Sequence, residues 1–149
     1  MLLIKMNTMR EIKRIFVHCT ASSQRTTVEQ LKNEFRLRGW RAPGYHYVVE
    51  PNGRLACLLT EDKPSNGVKG YNQTAINIAY IGGVDSKGKP IDNRTIEQKA
   101  TIVHLLLQLR ERYPKARIMG HRDIWGAKSP DRWLKACPCF NASKEYAAI

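Results

Sequence analysis

The longest periodic stretch of the chain, residues 95–112, constrains everything that can be built around it. Thr95 and Gln98 stand at capping-box spacing, and Ile96, Ala100, Val103 and Leu107 follow at 4-3-4 intervals. Ile102, Leu105, Leu106 and Leu109 widen that stripe. A helix with so broad an apolar surface is expected to lie well buried against a sheet, and Pro114 ends it.

Strands that can supply such a sheet are legible on either side. Ile12 to Cys19 alternates, placing Ile15 and Val17 on one face and Phe16 and His18 on the other. Tyr45 to Glu50 and Arg54 to Leu59 flank the strong turn Pro51-Asn52-Gly53 and read as a hairpin. Ile76 to Gly82 reads as a buried strand followed by the turn Asp85-Ser86-Lys87-Gly88. Ala116 to Met119 reads as a short strand that delivers Gly120-His121 at its end. A first helix is expected to start at the capping-box spacing Thr26–Glu29, to carry Leu31, Phe35 and Leu37, and to stop at Gly39. Residues 61–71 and 122–133 read as loops, and 141–147 as a closing helix. The expected fold class is α/β: a single domain with a central mixed β-sheet flanked by helices, over residues 12–149, with 1–11 a loose leader.

The 149 residues suit one domain with one sustained core. No apolar run approaches the roughly 18 residues of a membrane span, so no membrane insertion is expected. The first residues lack the ordered basic, apolar and small-residue regions of a secretory signal, which leads us to expect synthesis in the cytoplasm. The net charge of +12, from 25 Lys and Arg against 13 Asp and Glu, calls for an anionic partner. The basic residues are spread along the chain and no nucleic-acid-binding signature stands out, so nucleic acid is not the expected partner. A bacterial cell wall, with its acidic peptides and polyanions, meets the same requirement. The four cysteines, Cys19, Cys57, Cys137 and Cys139, are expected to be reduced thiols. Cys137 and Cys139 flank Pro138 and are badly placed to bond each other, which makes one of them a candidate ligand.

Three residues able to bind zinc fall at comparable places. His18 lies near the end of a strand, His121 begins the loop after another, and Cys137 sits in a loop anchored by Pro138. Strand ends are rigid enough to fix a metal and open enough to admit substrate. Three protein ligands leave a fourth position for water, which is the catalytic rather than the structural zinc arrangement. Taken singly, each of the three also reads as an ordinary hydrogen-bonded or buried side chain. Spacing does not separate these readings, because His18 and His121 are far apart in sequence.

A resemblance separates them. Ile15-Phe16-Val17-His18-Cys19-Thr20-Ala21-Ser22 resembles the first metal motif of the phage-lysozyme-type N-acetylmuramoyl-L-alanine amidases, which share a fold with the peptidoglycan recognition proteins. Gly39-Trp40 with Gly44-Tyr45-His46-Tyr47 resembles their second motif. Lys69-Gly70-Tyr71-Asn72 and Ile81-Gly82-Gly83-Val84-Asp85 resemble the middle of the family. Gly120-His121-Arg122-Asp123-Ile124 resembles the second metal motif, and Lys135-Ala136-Cys137-Pro138 the last. The matches run in family order over nearly the whole chain.

The resemblance implies an enzyme that hydrolyses the amide between N-acetylmuramic acid and L-alanine in bacterial peptidoglycan. It implies one catalytic zinc ion on His18, His121 and Cys137, a catalytic Tyr45 and a catalytic Lys135. A Lys ammonium or Tyr hydroxyl suits that chemistry, because attack on an amide builds negative charge on its oxygen and the departing amine needs a proton. An endolysin of this kind, expected to act as a monomer, would reach the wall through a partner pore. Some phage relatives also bind a polymerase, but no residue here demonstrates that partner. The alternatives are a non-catalytic recognition module and a glycosidase; the second would need a carboxylate pair, and Glu50, Asp62 and Asp123 form no convincing one. His46, next to Tyr45 on a strand, is expected to be structural. His104 is expected at the core or rim of the long helix, and Trp40 in the core. Trp125 and Trp133 are candidates to line a cleft. One departure stands out: many family members carry a histidine two residues before Lys-Gly-Tyr-Asn, where this chain has Gly67, with Asn66 as a partial substitute donor.

Overall fold

The structure, a computed structural model, describes residues 10–126 and 135–149. Its elements run in the order β1 (Arg14–Cys19), α1 (Val28–Leu37), β2 (Tyr47–Val49), β3 (Leu55–Cys57), β4 (Ala75–Tyr80), α2 (Ile96–Arg112), β5 (Arg117–Gly120) and α3 (Ala142–Glu145), with 3-10 turns at Asn72–Thr74 and His121–Trp125. The five strands form one sheet in the order β3-β2-β4-β1-β5. β1 pairs in parallel with β4 and β5, β4 pairs in parallel with β2, and the β2–β3 hairpin is antiparallel. The α/β mixed sheet is thus as the sequence implied. All six residues of β4 are buried, as a parallel strand covered on both faces requires.

One face of the sheet carries Ile15, Val17, Ile76, Ile78 and Tyr80 and packs against α2. On the other face, Leu31 and Phe35 of α1 pack on Val48 and Ile81, and Phe16 meets Val68, Ala75 and Met119. Val48 and Val49 therefore point to opposite cores, which fixes the register of β2.

Two local readings are corrected. The 4-3-4 positions assigned to the inside of α2 lie outside: Ile96 is 82% and Leu107 51% exposed, and Val103 is also exposed. Ile102, Leu105, Leu106 and Leu109, read as widening the stripe, face the sheet as expected, and Gln98 joins them. Two apolar stripes lie almost back to back on this helix, and a polar Gln98 disguised the inner one. Its Nε2 donates to the carbonyls of Val49 (3.1 Å) and Ile81 (3.0 Å), so the amide belongs in the core. Its Oε1 closes the capping box with Thr95 as expected. Each of the buried leucines contributes about 1.5–3 kcal/mol, which the outer stripe cannot. The second correction is one residue of register: α1 is capped by Thr27 with Gln30, not by Thr26 with Glu29. Leu37 is then 79% exposed rather than part of the core.

The hairpin turn is as read, with Gly53 at φ +87°. It also receives α2, because the hydroxyls of Thr95 and Thr101 donate to the carbonyls of Pro51 and Gly53, both at 2.6 Å. Arg10, in the stretch expected to be a loose leader, donates to the carbonyls of Glu61, Asn72, Gln73 and Ala75, while residues 1–9 lie outside the described residues. No helix among the described residues is long and apolar enough to cross a membrane.

Candidate metal centre

His18 is the fifth residue of β1, on the face opposite Ile15 and Val17. β5 runs parallel beside β1 and hands over directly to His121 in the following 3-10 turn. Both imidazoles therefore emerge at the carboxyl end of the parallel strands, where open α/β sheets place their ligands. Cys137 arrives from the far end of the chain. Gly120 makes this approach feasible, because a Cβ there would lie 2.6 Å from Cδ of Pro138. The amide of Arg122 donates to the Cys137 carbonyl at 2.9 Å, and the Tyr80 hydroxyl donates to the Pro138 carbonyl at 2.7 Å. The loop is thus stitched to both the 3-10 turn and β4.

The result brings His18, His121 and Cys137 together, all buried, with one candidate ligand atom from each inside a 4.8 Å cluster. Nδ1 of His18 lies 3.7 Å from Sγ of Cys137, and the imidazole rings are 5.0 Å apart, edge to face. Burial pushes His18 down to about 4, and the charge of Lys135 adds to that despite an opposing hydrogen bond from Asn77. Burial, then His18 and Lys135, push His121 down to about 3. Both imidazoles are consequently neutral at neutral pH, the form that binds a metal. The backbone N–H of Cys19 points at the Cys137 sulfur at 3.2 Å. Two neutral imidazoles and a cysteine sulfur, buried and convergent, fit zinc and its three-ligand catalytic arrangement. Cys19 lies outside the cluster: its sulfur sits 3.8 Å from that of Cys139, and its interaction with Cys137 and its burial push its thiol up to about 12.

Tyr45 stands beside this cluster, its ring 5.2 Å from that of His18 and its hydroxyl donating to the Cys19 carbonyl at 3.4 Å. Burial, reinforced by Cys137 and Cys19, pushes its phenol well above the ordinary range. Lys135 is exposed, and its charge acts on both histidines. His46 is buried away from the cluster: Nδ1 accepts the Asn77 N–H (3.1 Å) and Nε2 donates to the Lys63 carbonyl (2.7 Å). His104 is exposed on α2. Asp123 orients the turn by accepting from the Gly120 N–H (2.7 Å) and the Ser143 hydroxyl (2.5 Å).

Trp40 stacks on Phe35 at 5.7 Å and also borders a cleft of about 470 Å³ with Ser65, Asn66 and Lys69. Trp125 stacks on His121 at 5.3 Å, while Trp133 lies outside the described residues. Asn66 is committed elsewhere, donating through Nδ2 to the Ala42 carbonyl at 2.8 Å. One residue of the site escaped the sequence reading. Asn77, fully buried in β4, accepts through Oδ1 from Nε2 of His18 at 2.7 Å. Its signal was available: a lone amide in the apolar run 76–82 must find a partner once buried.

With this geometry in place, comparison with known proteins gives a consistent outcome. Residues 8–139 match the model of the N-acetylmuramoyl-L-alanine amidase family. The endolysin of Enterobacteria phage K11 is 34% identical over 137 residues, covering 91% of this chain and 85% of the phage protein. The endolysin of Escherichia phage T7 is 32% identical, covering 87% and 82%. Among solved structures, the Ph2119 endolysin from a Thermus scotoductus bacteriophage superposes with a TM-score of 0.68 at 26% identity, over 86% of this chain and 77% of that one. The chain belongs to the N-acetylmuramoyl-L-alanine amidase family, and its activity is that of a peptidoglycan amidase.

Proposed function

We infer that this amidase is zinc-dependent and that His18, His121 and Cys137 hold the ion. The observation that carries this reading is the convergence of three buried donors, from β1, the turn after β5 and the Pro138 loop, on one cluster. Zinc bound there would supply Lewis acidity, polarising the scissile carbonyl and making a water more acidic. The chain's own residues do the rest. Tyr45, kept a neutral phenol by burial, can donate to the carbonyl oxygen or give a proton to the departing amine of L-alanine. The Lys135 ammonium can stabilise the negative charge that grows on the amide oxygen. The endolysin names of the phage relatives support a lytic role on the cell wall; passage through a partner pore is part of the proposal.

The test is end-group analysis of purified peptidoglycan digested with and without a zinc chelator. New L-alanine amino termini that vanish with chelator and return with zinc are expected. Cys137→Ser is expected to fold, to lose zinc and to lose activity. Unchanged turnover by that variant, or chelator-resistant release of L-alanine termini, would overturn the ligand assignment.

A further inference from the structure

Asn77 sits at the centre of a hydrogen-bond chain that runs from the cleft wall to His18. The chain begins at Asn72, whose Oδ1 accepts the backbone N–H groups of Gly67 (3.1 Å) and Val68 (2.8 Å). An oxygen held by two amides can only accept, so the Asn77 group that faces it at 3.3 Å must be the Nδ2 donor. The same Nδ2 donates to the buried Ser65 hydroxyl at 2.8 Å. The orientation of the Asn77 carboxamide is thereby settled by its neighbours, and Oδ1 is left facing Nε2 of His18 at 2.7 Å. A neutral imidazole that meets a carbonyl oxygen there must carry its proton on Nε2. Nδ1, on the Cys137 side, then keeps its lone pair.

Gly67 belongs to the same arrangement. Its φ lies outside the left-handed region, so no backbone conformation calls for glycine there. A Cβ at that position would stand 2.3 Å from both Cγ and Oδ1 of Asn77, and 2.7 Å from Nδ2. Position 67 and the Asn77 carboxamide therefore compete for one space. Any side chain at 67, the histidine expected from the resemblance included, must displace the amide that faces His18.

We propose that Asn77 is the positioning residue that fixes His18 in the Nε2-protonated tautomer, with Gly67 as its obligate neighbour, so that Nδ1 is preset as a metal donor before any ion arrives. This rests on the reading of His18 as a ligand. The preset operates in the metal-free protein, and it couples the loop 65–72, which borders the cleft, to the metal site. Partners that orient a ligating histidine in this way typically change metal affinity roughly 10–100-fold when removed.

The experiment combines imidazole 15N NMR of the metal-free protein with zinc competition titrations. In the wild type the His18 proton is expected on Nε2; a proton found on Nδ1 would overturn the proposal. Asn77→Ala is expected to give a mixture of tautomers and zinc binding weakened roughly 10–100-fold. Gly67→Ala is expected to do the same by pushing the carboxamide aside, yet to add nothing in the Asn77→Ala background. That non-additivity would show that Gly67→Ala acts through the Asn77 carboxamide, and the position of the His18 proton is the readout that a general packing role would not move. If His18→Ala leaves zinc affinity intact, the ligand reading itself fails. If His18→Ala abolishes binding while Asn77→Ala leaves tautomer and affinity unchanged, only the positioning role fails.

Discussion

Two polar networks, each centred on a buried side chain, brace the loops around the metal site, and they are made of opposite materials. One is ionic. Arg94, its side chain 2% exposed, donates to both oxygens of Asp92 and both of Glu145, and its guanidinium lies 3.4 Å above the Phe140 ring. It ties the segment before α2 to the helix that follows Cys137. The other network is neutral: Asn77 with His18, Ser65 and Asn72 through its side chain, and with His46 through its backbone N–H. A bidentate ion pair fixes where a loop lies, because charge and planarity demand one geometry. A chain of amides and imidazoles fixes where a proton lies, because each group dictates whether its neighbour donates or accepts. The first therefore governs stability, and the second governs the chemistry that the site can perform.

Acid should separate the two, with the largest effect of any perturbation considered. Burial holds His18 and His46 at about 4 and His121 at about 3, against an ordinary 6.5. A folded-state value depressed in this way contributes stability that is present above about pH 6.5 and is lost as pH falls toward 4. Each of the three histidines costs roughly 1.4 kcal/mol per pH unit across that window. The ionic network yields later. Burial opposes ionisation of Asp92, but the hydrogen bond and charge of Arg94 outweigh it and leave the carboxyl below its usual range. Hydrogen bonding to Arg94 lowers Glu145 likewise. Those contributions persist until the pH drops below about 4. Denaturant midpoints of the metal-free protein should fall steeply between pH 6 and 4; a flat profile there would show that the imidazoles are not buried as neutral groups.

Removing the ionic centre comes next in size. Arg94→Met should cost about 2–4 kcal/mol, toward the low end of a buried-pair loss because Asp92 and Glu145 retain some solvent contact. The thermal midpoint should drop accordingly, while the His18 tautomer in the metal-free protein stays as it is. A tautomer that changed with Arg94 would show that the two networks are one.

The contrast also explains what could be read from the chain and what could not. The sheet, its helices and the three converging donors rest on patterns that are local in sequence: alternation in 14–19, caps at Thr95 and Gln98, motifs around His18, His121 and Cys137. The failures came where two local patterns were equally good. α2 carries two apolar stripes, and only the Val49 and Ile81 carbonyls, distant in sequence, select the one containing Gln98. Thr26 and Thr27 are both acceptable caps, and the packing of Leu31 and Phe35 decides between them. Asn77 depends on a partner 59 residues away, so no window around it could reveal its role beyond the oddity of an amide in a buried strand. Gly67 could be noticed as a departure, but its reason lies across the fold in the side chain that fills its space.

Ser65 provides the finest test of how the neutral network works. Its hydroxyl accepts from Nδ2 of Asn77 at 2.8 Å, whereas Asn72 accepts from the same nitrogen at 3.3 Å. By distance alone Ser65 is the stronger partner, and its loss should cost about 1 kcal/mol of stability. Orientation is a different matter. Asn72 Oδ1 is pinned by two backbone amides and can only accept, while a serine hydroxyl can rotate to donate or accept. Only Asn72 therefore dictates which end of the Asn77 carboxamide faces His18. Ser65→Ala should accordingly lower the thermal midpoint slightly, leave the His18 proton on Nε2, and change zinc affinity far less than Asn77→Ala. If Ser65→Ala instead weakened zinc as much as Asn77→Ala, the site would be held by the packing of the cleft loop, and the direction of the hydrogen bonds would not be what positions the imidazole.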